Sequence, residues 1–202
     1  MKIDPKDIDY MHVYRLLMST VVPRCIGLVS TIGEKGFNLA PFAPFGIMCF
    51  KPSLVYICCG RDRHGKKRDT LVNIEYSKDF VINLVNEDLA EAVRISAARY
   101  PIGVDEFEVA GLTPVKADIV KSPMLAESPV NMECQLKEIL EFGDLPRRTG
   151  VVIAEVVRFH IKEGLYSNGE IQISALKPIA KLGRDRYCRI TNIFEMKVPS
   201  VS

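Results

Sequence analysis

The sequence lacks the long apolar runs and the biased composition that mark several classes of protein. No apolar run approaches the roughly 18 residues that a membrane-spanning helix needs. The 202 residues include 27 Lys plus Arg against 25 Asp plus Glu, so the formal net charge is only +2. A dedicated nucleic-acid-binding protein is usually more basic, and a disordered chain is usually less hydrophobic than the 48% found here. These features predict a folded protein that acts neither on nucleic acid nor in a membrane.

Targeting and metal-binding patterns are also missing. Acidic residues occur from Asp4 onward, whereas a secretory signal has a basic start and then a clean apolar stretch. The six cysteines form no C-x-x-C pair, and no Cys/His pair has the spacing of zinc ligands. We therefore expect reduced, mostly buried thiols, no metal site and a cytoplasmic location. The adjacent pair Cys58-Cys59 is the one candidate for redox use.

The chain length is typical of one domain, and neither internal repeats nor low-complexity stretches interrupt it. We therefore predict a single domain over residues 1–202. Five segments are rich in apolar and β-branched residues and are predicted to be strands. They are Cys25–Ile32, Ser53–Cys59, Phe80–Val85, Val130–Glu138 and Val151–His160.

Shorter signals add a hairpin and three helices. Asn168-Gly169 before Ile171–Ile173 predicts a tight hairpin turn. Thr70–Tyr76 follows Asp69, a residue type that favours the helix N-cap. The other predicted helices are Asn86–Ala97, which has acidic residues in its first turn, and Asp105–Ala110, which Gly111 ends. Strands outnumber helices without regular alternation, so we predict a mainly β fold with α insertions, as an antiparallel barrel.

A basic segment, Arg61–Asp69, holds five Lys/Arg and two Asp in nine residues. One interpretation is a solvated loop between a strand and a helix. The other is an anion site, because the segment ends where a helix is predicted to start, and the free N–H groups of a first turn attract phosphate. Arg61, Arg63 or Arg68 would then bind phosphate oxygens, with Thr70 adding a hydroxyl donor at the surface. Asp69 would cap the helix and face away from the ligand.

A second segment runs from Ser30-Thr31 through a turn to Asn38–Phe45. Its small residues would let the backbone approach a flat ligand, its prolines would hold that backbone rigid, and Phe42 or Phe45 would supply a ring. The competing interpretation is an edge strand with aromatic core residues. Neither G-x-x-x-x-G-K-[ST] nor G-x-G-x-x-G is present, so phosphate would need another device. Asp105, Glu106 and Glu108 are interpreted as the exposed start of a short helix.

Taken in order, several segments resemble the flavin reductase-like family, the flavoredoxin-type proteins with the FMN-binding split-barrel fold. The resemblance covers roughly residues 20 to 195. The segments that carry it are Pro23–Thr31, Gly36–Phe42, Arg68–Ile74, Phe80–Val85, Gly103–Pro114, Ala126–Pro129 with Glu133-Cys134, and Pro178–Gly183.

This resemblance implies a Greek-key antiparallel split barrel and a homodimer that binds FMN near the subunit interface. The residues it places along the flavin are Ser30, Thr31, Asn38, Leu39, Ala40, Pro41 and Phe42, with Phe45 near them. Those it places at the phosphate end are Arg68, Asp69, Thr70 and Asn73, where Arg68 replaces the more usual lysine, and an extra arginine, Arg61 or Arg63, joins them. Backbone amides around Ala40–Phe42 would donate hydrogen bonds to the ring. No catalytic acid, base or nucleophile is required, because the cofactor carries the reactivity.

Three functions follow as hypotheses. The first is an FMN-containing oxidoreductase that NAD(P)H reduces and that passes electrons to free flavin, a redox protein or a small acceptor. The second is an FMN-binding electron carrier that a protein partner reduces, with no nicotinamide activity of its own. The third is a binding module whose basic loop contacts nucleic acid or another polyanion, which would make its binding steeply dependent on salt.

Overall fold

A computed structural model describes residues 1–101 and 103–200 of the chain. Its regular elements are, in chain order, α1 (Tyr10–Thr20), β1 (Gly27–Gly33), β2 (Gly36–Phe42), β3 (Phe45–Cys49), β4 (Leu54–Gly60), α2 (Asp69–Ser77), β5 (Asp79–Leu84), α3 (Ala90–Ser96), α4 (Glu106–Ala110), β6 (Pro114–Val115), β7 (Met124–Leu125), β8 (Val130–Phe142), β9 (Thr149–Ile161), β10 (Tyr166–Ser167), β11 (Glu170–Ile171), α5 (Ile173–Leu176), β12 (Ile179–Lys181) and β13 (Tyr187–Arg189). No helix within these residues is both long enough and apolar enough to cross a bilayer.

One antiparallel sheet of seven strands dominates the molecule, in the order β2-β1-β5-β8-β9-β4-β3. Strands β2 and β3 lie at opposite ends of this order, yet only Ala43 and Pro44 separate them in the chain. The three Cα–Cα steps from Phe42 to Phe45 span at most about 11 Å, so the two ends of the sheet must lie close together. The sheet therefore curls into a barrel that is not hydrogen-bonded along its seam. This split barrel confirms the predicted mainly β fold.

The barrel interior forms the main hydrophobic core. Every long strand except β3 contributes buried side chains, and Leu71 and Ile74 of α2 enter from one end. Leu71 packs so closely that a Cβ on Gly150 would lie 3.3 Å from its Cδ2 atom. Burying each of these two side chains stabilises the fold by about 2 kcal/mol. Helix α2 therefore plugs the barrel, and its N-terminus lies at the barrel edge.

A second core lies between the outer face of β1 and β2 and the short helices α3 and α4. Leu28 and Leu39 from the strands meet Val93 and Phe107 from the helices. The ring of Phe37 packs edge-on against Phe107, with ring centroids 6.2 Å apart. The strand pair β1–β2 is thus buried on both faces, with α2 on one side and α4 on the other.

The predicted strands and helices are all present, with small shifts at their ends. The segment Asn86–Ala97 begins with a 3-10 turn, Glu87–Leu89, which the Asn86 side chain caps by accepting from Leu89 N–H. The hairpin turn is confirmed, because Asn168 and Gly169 both have positive φ, at 53° and 84°. Its returning strand ends at Ile171, and Ile173 begins α5.

The sequence interpretation missed helix α1. Asp9 caps this helix by accepting from the backbone N–H of His12 at 3.0 Å. None of its residues is buried, so its apolar side chains have no core partner in the described chain. Its C-terminal carbonyls at Met18 and Val21 both accept from Nη1 of Arg24, at 2.6 Å each.

The most buried carboxylate on the barrel is Glu133 on β8, whose side chain is fully buried. Its two oxygens accept from the backbone N–H groups of Asp118, Ile119 and Val120, at 3.1, 2.7 and 2.9 Å. His160 Nε2 lies 2.6 Å from Oε1. Burial alone would raise the pKa of Glu133, but these four donors hold it below its ordinary value. They also occupy both oxygens, so the cluster of Asp118, Glu133 and His160 is structural.

We expect Glu133→Gln to lower the free energy of unfolding by about 3 kcal/mol at neutral pH, because the amide NH2 would face backbone donors. Because the pKa of Glu133 is depressed in the folded state, its contribution is present above the ordinary carboxyl pKa of 4.5 and is lost as the pH falls through the lowered folded pKa. Urea unfolding of both proteins across this range measures the difference. Glu138→Gln, an exposed site on the same strand, is the control and should have little effect. An equal change in both variants would contradict this account.

Candidate functional site

Four of the predicted site residues meet in one buried polar network. The Thr70 hydroxyl of α2 donates to Asn38 Oδ1 at 2.8 Å, and the Thr31 hydroxyl lies 3.4 Å from the same oxygen. Asn73 Nδ2 donates to the Thr31 hydroxyl oxygen at 3.1 Å. The network joins β1, β2 and the first two turns of α2, at the place where the family resemblance expects the phosphate end of the flavin.

Glu106 completes this network, and the sequence interpretation of it was wrong. It was expected at the exposed start of a helix, but only 7% of its surface is exposed. Its Oε2 accepts from Asn38 Nδ2 at 3.0 Å and from the Leu39 backbone N–H at 3.1 Å. Burial raises the pKa of Glu106, and the charge of Asp69 raises it further. The hydrogen bonds from Leu39, from Asn38 and from its own backbone N–H oppose this rise only in part.

A cavity of about 370 Å³ opens beside this network. Three predicted site residues line it: Asn38, Asp69 and Asn73. The lysines Lys66 and Lys67 stand on its wall, together with apolar groups from β2 and α2. The cavity thus combines positive charge, amide groups and an apolar surface at the edge of the barrel.

The start of α2 differs from the prediction. Arg68, not Asp69, occupies the N-cap position, with extended backbone angles, and no side chain in the described chain caps the first turn. Asp69 is the first helical residue and lines the cavity, so it does not face away from the site. Its negative charge is stabilised there by the positive end of the helix dipole. The first-turn N–H groups, which have no partner inside a helix, remain without a side-chain acceptor.

Two of the predicted arginines are engaged elsewhere. Arg61 pairs with Glu141 on β8 and donates to the Gly65 carbonyl at 3.2 Å, and only 10% of its side chain is exposed. Arg63 is exposed, and its Nε lies 2.9 Å from His64 Nε2. Arg61 therefore fastens the basic loop to the barrel. Arg68 is the exposed arginine of the predicted set next to the first turn of α2.

The predicted segment after Asn38 forms edge strand β2 and the start of β3. Phe42 is only 8% exposed and packs inside the barrel, with Phe45 against the same core. A Cβ on Gly27 would lie 3.0 Å from Ile82 Cγ2 and 3.4 Å from the Phe45 ring, so the packing of Ile82 favours glycine there. Both phenylalanines therefore support the strand from within. Ala40 and Pro41 are partly exposed.

The backbone of this segment offers few donors to a ligand. Leu39 N–H reaches Glu106, so it points away from the paired strand β1. Successive N–H groups along a strand point to opposite sides, so those of Ala40 and Phe42 point towards β1, and Pro41 has none. The expected donation from Ala40–Phe42 N–H groups to a flavin ring is therefore not what this strand geometry provides.

Ser30 and Leu39 lie on the opposite side of the β1–β2 pair from the cavity. The Ser30 hydroxyl is fully buried, donates to the Pro123 carbonyl at 2.5 Å and accepts from Asn83 Nδ2 at 3.0 Å. The Leu39 side chain belongs to the core shared with α3 and α4. The structure thus separates these two from Thr31 and Asn38, their neighbours in sequence, because side chains alternate between the faces of a strand.

The side chains of Cys58 and Cys59 point to opposite faces of the sheet, since both residues lie in β4. Cys59 is buried in the barrel core, where burial raises the pKa of its thiol to about 12. Cys58 lies on the other face and is half-buried, and burial raises its pKa as well. Neither thiol therefore has the lowered pKa that is typical of a redox-active cysteine. All six cysteines are unpaired.

The network makes a direct prediction for Thr70, which was expected at the surface but is only 3% exposed. Thr70→Val keeps the side-chain shape and removes the donor to Asn38 Oδ1. We expect the free energy of unfolding to fall by about 1.5 kcal/mol in chemical denaturation. Thr113→Val, at an exposed position, is the matched control and should change it by less than about 0.5 kcal/mol. A Thr70 variant as stable as the control would show that this hydrogen bond is unimportant.

Solved structures with the same fold include two that share more than a quarter of their residues with this chain. Component B of nitrilotriacetate monooxygenase from Bacillus cereus is 30% identical, with a TM-score of 0.94 over 97% of this chain and 98% of that one. The 2-nitrobenzoate 2-nitroreductase of Pseudomonas fluorescens is 27% identical, with a TM-score of 0.89 over 99% and 97%. A protein from Shewanella frigidimarina with a split barrel domain has a TM-score of 0.83 at 22% identity and shows the same fold.

Sequence relatives cover the whole chain. An uncharacterized protein of Halalkalibacterium halodurans is 32% identical over 205 residues, which is 100% of this chain and 98% of the relative. An uncharacterized protein of Aquifex aeolicus is 32% identical over 195 residues, 96% of this chain and 97% of the relative. The family model of the flavin reductase like domain matches residues 18–189, which include the network, the cavity and strands β1 to β9. The chain therefore belongs to the flavin reductase-like family.

Proposed function

We propose that this protein binds FMN and uses NAD(P)H to reduce it, so that electrons pass on to free flavin or another acceptor. Its family supports a flavin-related oxidoreductase role. The observation that carries the proposal is the position of the uncapped start of α2 next to Arg68, the cavity and edge strand β2. These features offer an anion site and an extended surface within one continuous region.

The phosphate end of FMN would lie at the start of α2. Arg68 is exposed and, unlike Arg61 and Lys67, forms no ion pair in the described part of the chain. It can therefore form paired hydrogen bonds to phosphate oxygens. The open N–H groups of the first turn and Lys66 add positive potential. The Thr70 hydroxyl already donates to Asn38 Oδ1, so Thr70 would contribute to this site through its backbone position in the first turn.

The ring end would lie along β2. A strand rises about 3.3 Å per residue, so the four steps from Asn38 to Phe42 extend about 13 Å from the cavity. Ala40 and Pro41 are small or rigid residues that leave the open backbone edge of β2 accessible there, and Ala40, Phe42 and Phe45 pack against the core. This arrangement fits an extended flavin mononucleotide with its two ends on two different elements.

When bound, the flavin supplies the hydride and electron chemistry. The chain's own contribution is to hold the phosphate with Arg68, to hold the ring surface flat with the Ala40-Pro41 backbone, and to limit the access of water from the barrel side. The buried network of Thr31, Asn38 and Thr70 keeps these two elements together. None of these tasks requires a proton-transferring side chain.

We further propose a homodimer with the flavin near its interface. Next to the proposed ring end, β3 and the residue after it expose Ile47, Met48 and Phe50, at 68%, 48% and 87%. A patch of large apolar side chains on a folded protein commonly marks an interface. A redox protein that receives the electrons would use the remaining open side of the flavin. The six unpaired cysteines agree with a cytoplasmic location.

The dimer proposal predicts that Phe50→Glu weakens self-association, because a charge at the centre of an apolar interface is costly to bury. Light scattering coupled to size-exclusion chromatography should give a mass near twice 22.7 kDa for the unmodified chain and near 22.7 kDa for the variant at low concentration. Tyr166→Glu, at a 60% exposed site in the β10–β11 hairpin, should remain a dimer. A monomeric unmodified chain would overturn the proposal.

The proposed activity is tested by visible absorbance of the protein with added FMN, before and after anaerobic NADPH or NADH. We expect flavin bands that shift on binding and bleach with at least one nucleotide. Bound flavin that stays oxidised with both nucleotides would instead indicate an electron carrier reduced by a protein partner. If FMN does not bind, the proposal fails, and steeply salt-dependent binding of a polyanion by the basic loop becomes the alternative.

A further inference from the structure

We propose that Glu106 is a positioning residue that fixes the two ends of the flavin site relative to each other. This inference rests on the proposed function, because it concerns how FMN is held. Glu106 does not belong to the residues that line the cavity in the described chain. It acts through Asn38 and Leu39, which connect it to the start of α2 and to the ring surface.

The first connection is to strand β2. This strand is the last of the sheet, so one side of its backbone has no partner strand. Glu106 Oε2 accepts from the Leu39 N–H on that open side at 3.1 Å. Ala40 and Pro41 follow directly, so Glu106 holds the strand where the proposed ring surface begins.

The second connection is to helix α2. The same Oε2 accepts from Asn38 Nδ2 at 3.0 Å. An amide that donates with its nitrogen towards Glu106 must turn its oxygen the other way. Asn38 Oδ1 therefore faces Thr31 and Thr70, and Thr70 lies in the first turn of α2. Without Glu106, the Asn38 side chain would lose the contact that sets its orientation.

Helix α4 supplies the fixed point for both connections. It has only five residues, but Asp105 caps its start by accepting from Phe107 N–H at 2.9 Å, and Gly111 ends it in a left-handed conformation. Phe107 is 1% exposed and locks the helix onto the outer core. Glu106 is therefore held rigidly, and its carboxylate links this core to β2 and, through Asn38, to α2.

This arrangement should affect FMN and riboflavin differently, because riboflavin has the same ring but no phosphate. FMN must satisfy Arg68 on α2 and the ring surface on β2 at the same time, whereas riboflavin engages β2 alone. Loss of the Glu106 contacts lets the two elements shift relative to each other, which should cost FMN more affinity than riboflavin. A small misplacement of binding groups is enough to lose a large part of such an advantage.

The experiment measures dissociation constants for FMN and for riboflavin by flavin fluorescence, using the full chain. In the unmodified protein we expect FMN to bind more tightly than riboflavin. Glu106→Ala should reduce this preference about tenfold. Glu106→Gln should keep it, because its Oε1 can take the place of Oε2 and accept from both Asn38 and Leu39. A lower folded fraction would weaken the binding of both flavins equally and so cannot change their ratio, and thermal unfolding monitors the folded fraction.

Two further variants serve as the negative and the positive control. Glu108→Ala, at an exposed site on the same helix, should leave the preference unchanged. Arg68→Ala should abolish it, because that change removes the phosphate's cation. If Glu106→Ala does not fold, Glu106→Asp replaces it, because the shorter side chain withdraws the carboxylate without emptying the site.

The failures of the two proposals are distinct. If Arg68→Ala loses the preference but the Glu106 variants keep it, the inference is wrong and the proposed function stands. A loss of equal size for FMN and riboflavin in Glu106→Ala or Glu106→Asp also overturns it, since that result indicates only a structural role. If the unmodified protein binds neither flavin, the proposed function fails and the inference fails with it.

Discussion

The two-residue connection between β2 and β3 is the constraint on which the rest of the molecule depends. Ala43 and Pro44 tie together the two ends of a seven-stranded sheet, which forces the sheet to close on itself. Closure creates an interior that α2 can plug with Leu71 and Ile74. It also leaves β2 unpaired along the seam. The open edge, the plugging helix and the cavity between them are consequences of this one short link.

Two buried carboxylates accept hydrogen bonds from backbone N–H groups that have no partner strand. Glu133 accepts from three backbone N–H groups and lies against His160, and Glu106 accepts from the free edge of β2 and from Asn38. Both are desolvated, but their pKa values move in opposite directions. The donors around Glu133 outweigh burial and favour its charged form, whereas those around Glu106 do not outweigh burial together with the like charge of Asp69.

Strands β1, β4, β5, β8 and β9, helices α2 to α4 and the family were predictable from local patterns and from the order of motifs. Four predicted site residues were also brought together: Thr31, Asn38, Thr70 and Asn73. Helix α1 was missed, although Asp9 is a residue type that favours the N-cap and the apolar residues that follow it have helical spacing; none of its residues is buried. Glu106 was misjudged because a carboxylate in a five-residue helix gives no sign in sequence of whether it faces solvent or a strand edge.

The sequence by itself therefore determined the mainly β fold, the family and four residues that meet in the polar network, because strand periodicity and motif order are local properties of the chain. Only the tertiary structure decided their tasks. It assigned Arg61 to an ion pair with Glu141, turned Ser30 and Leu39 away from the cavity, and placed Phe42 in the core. The physical reason is that hydrogen bonding, burial and charge pairing depend on distances between residues far apart in the chain.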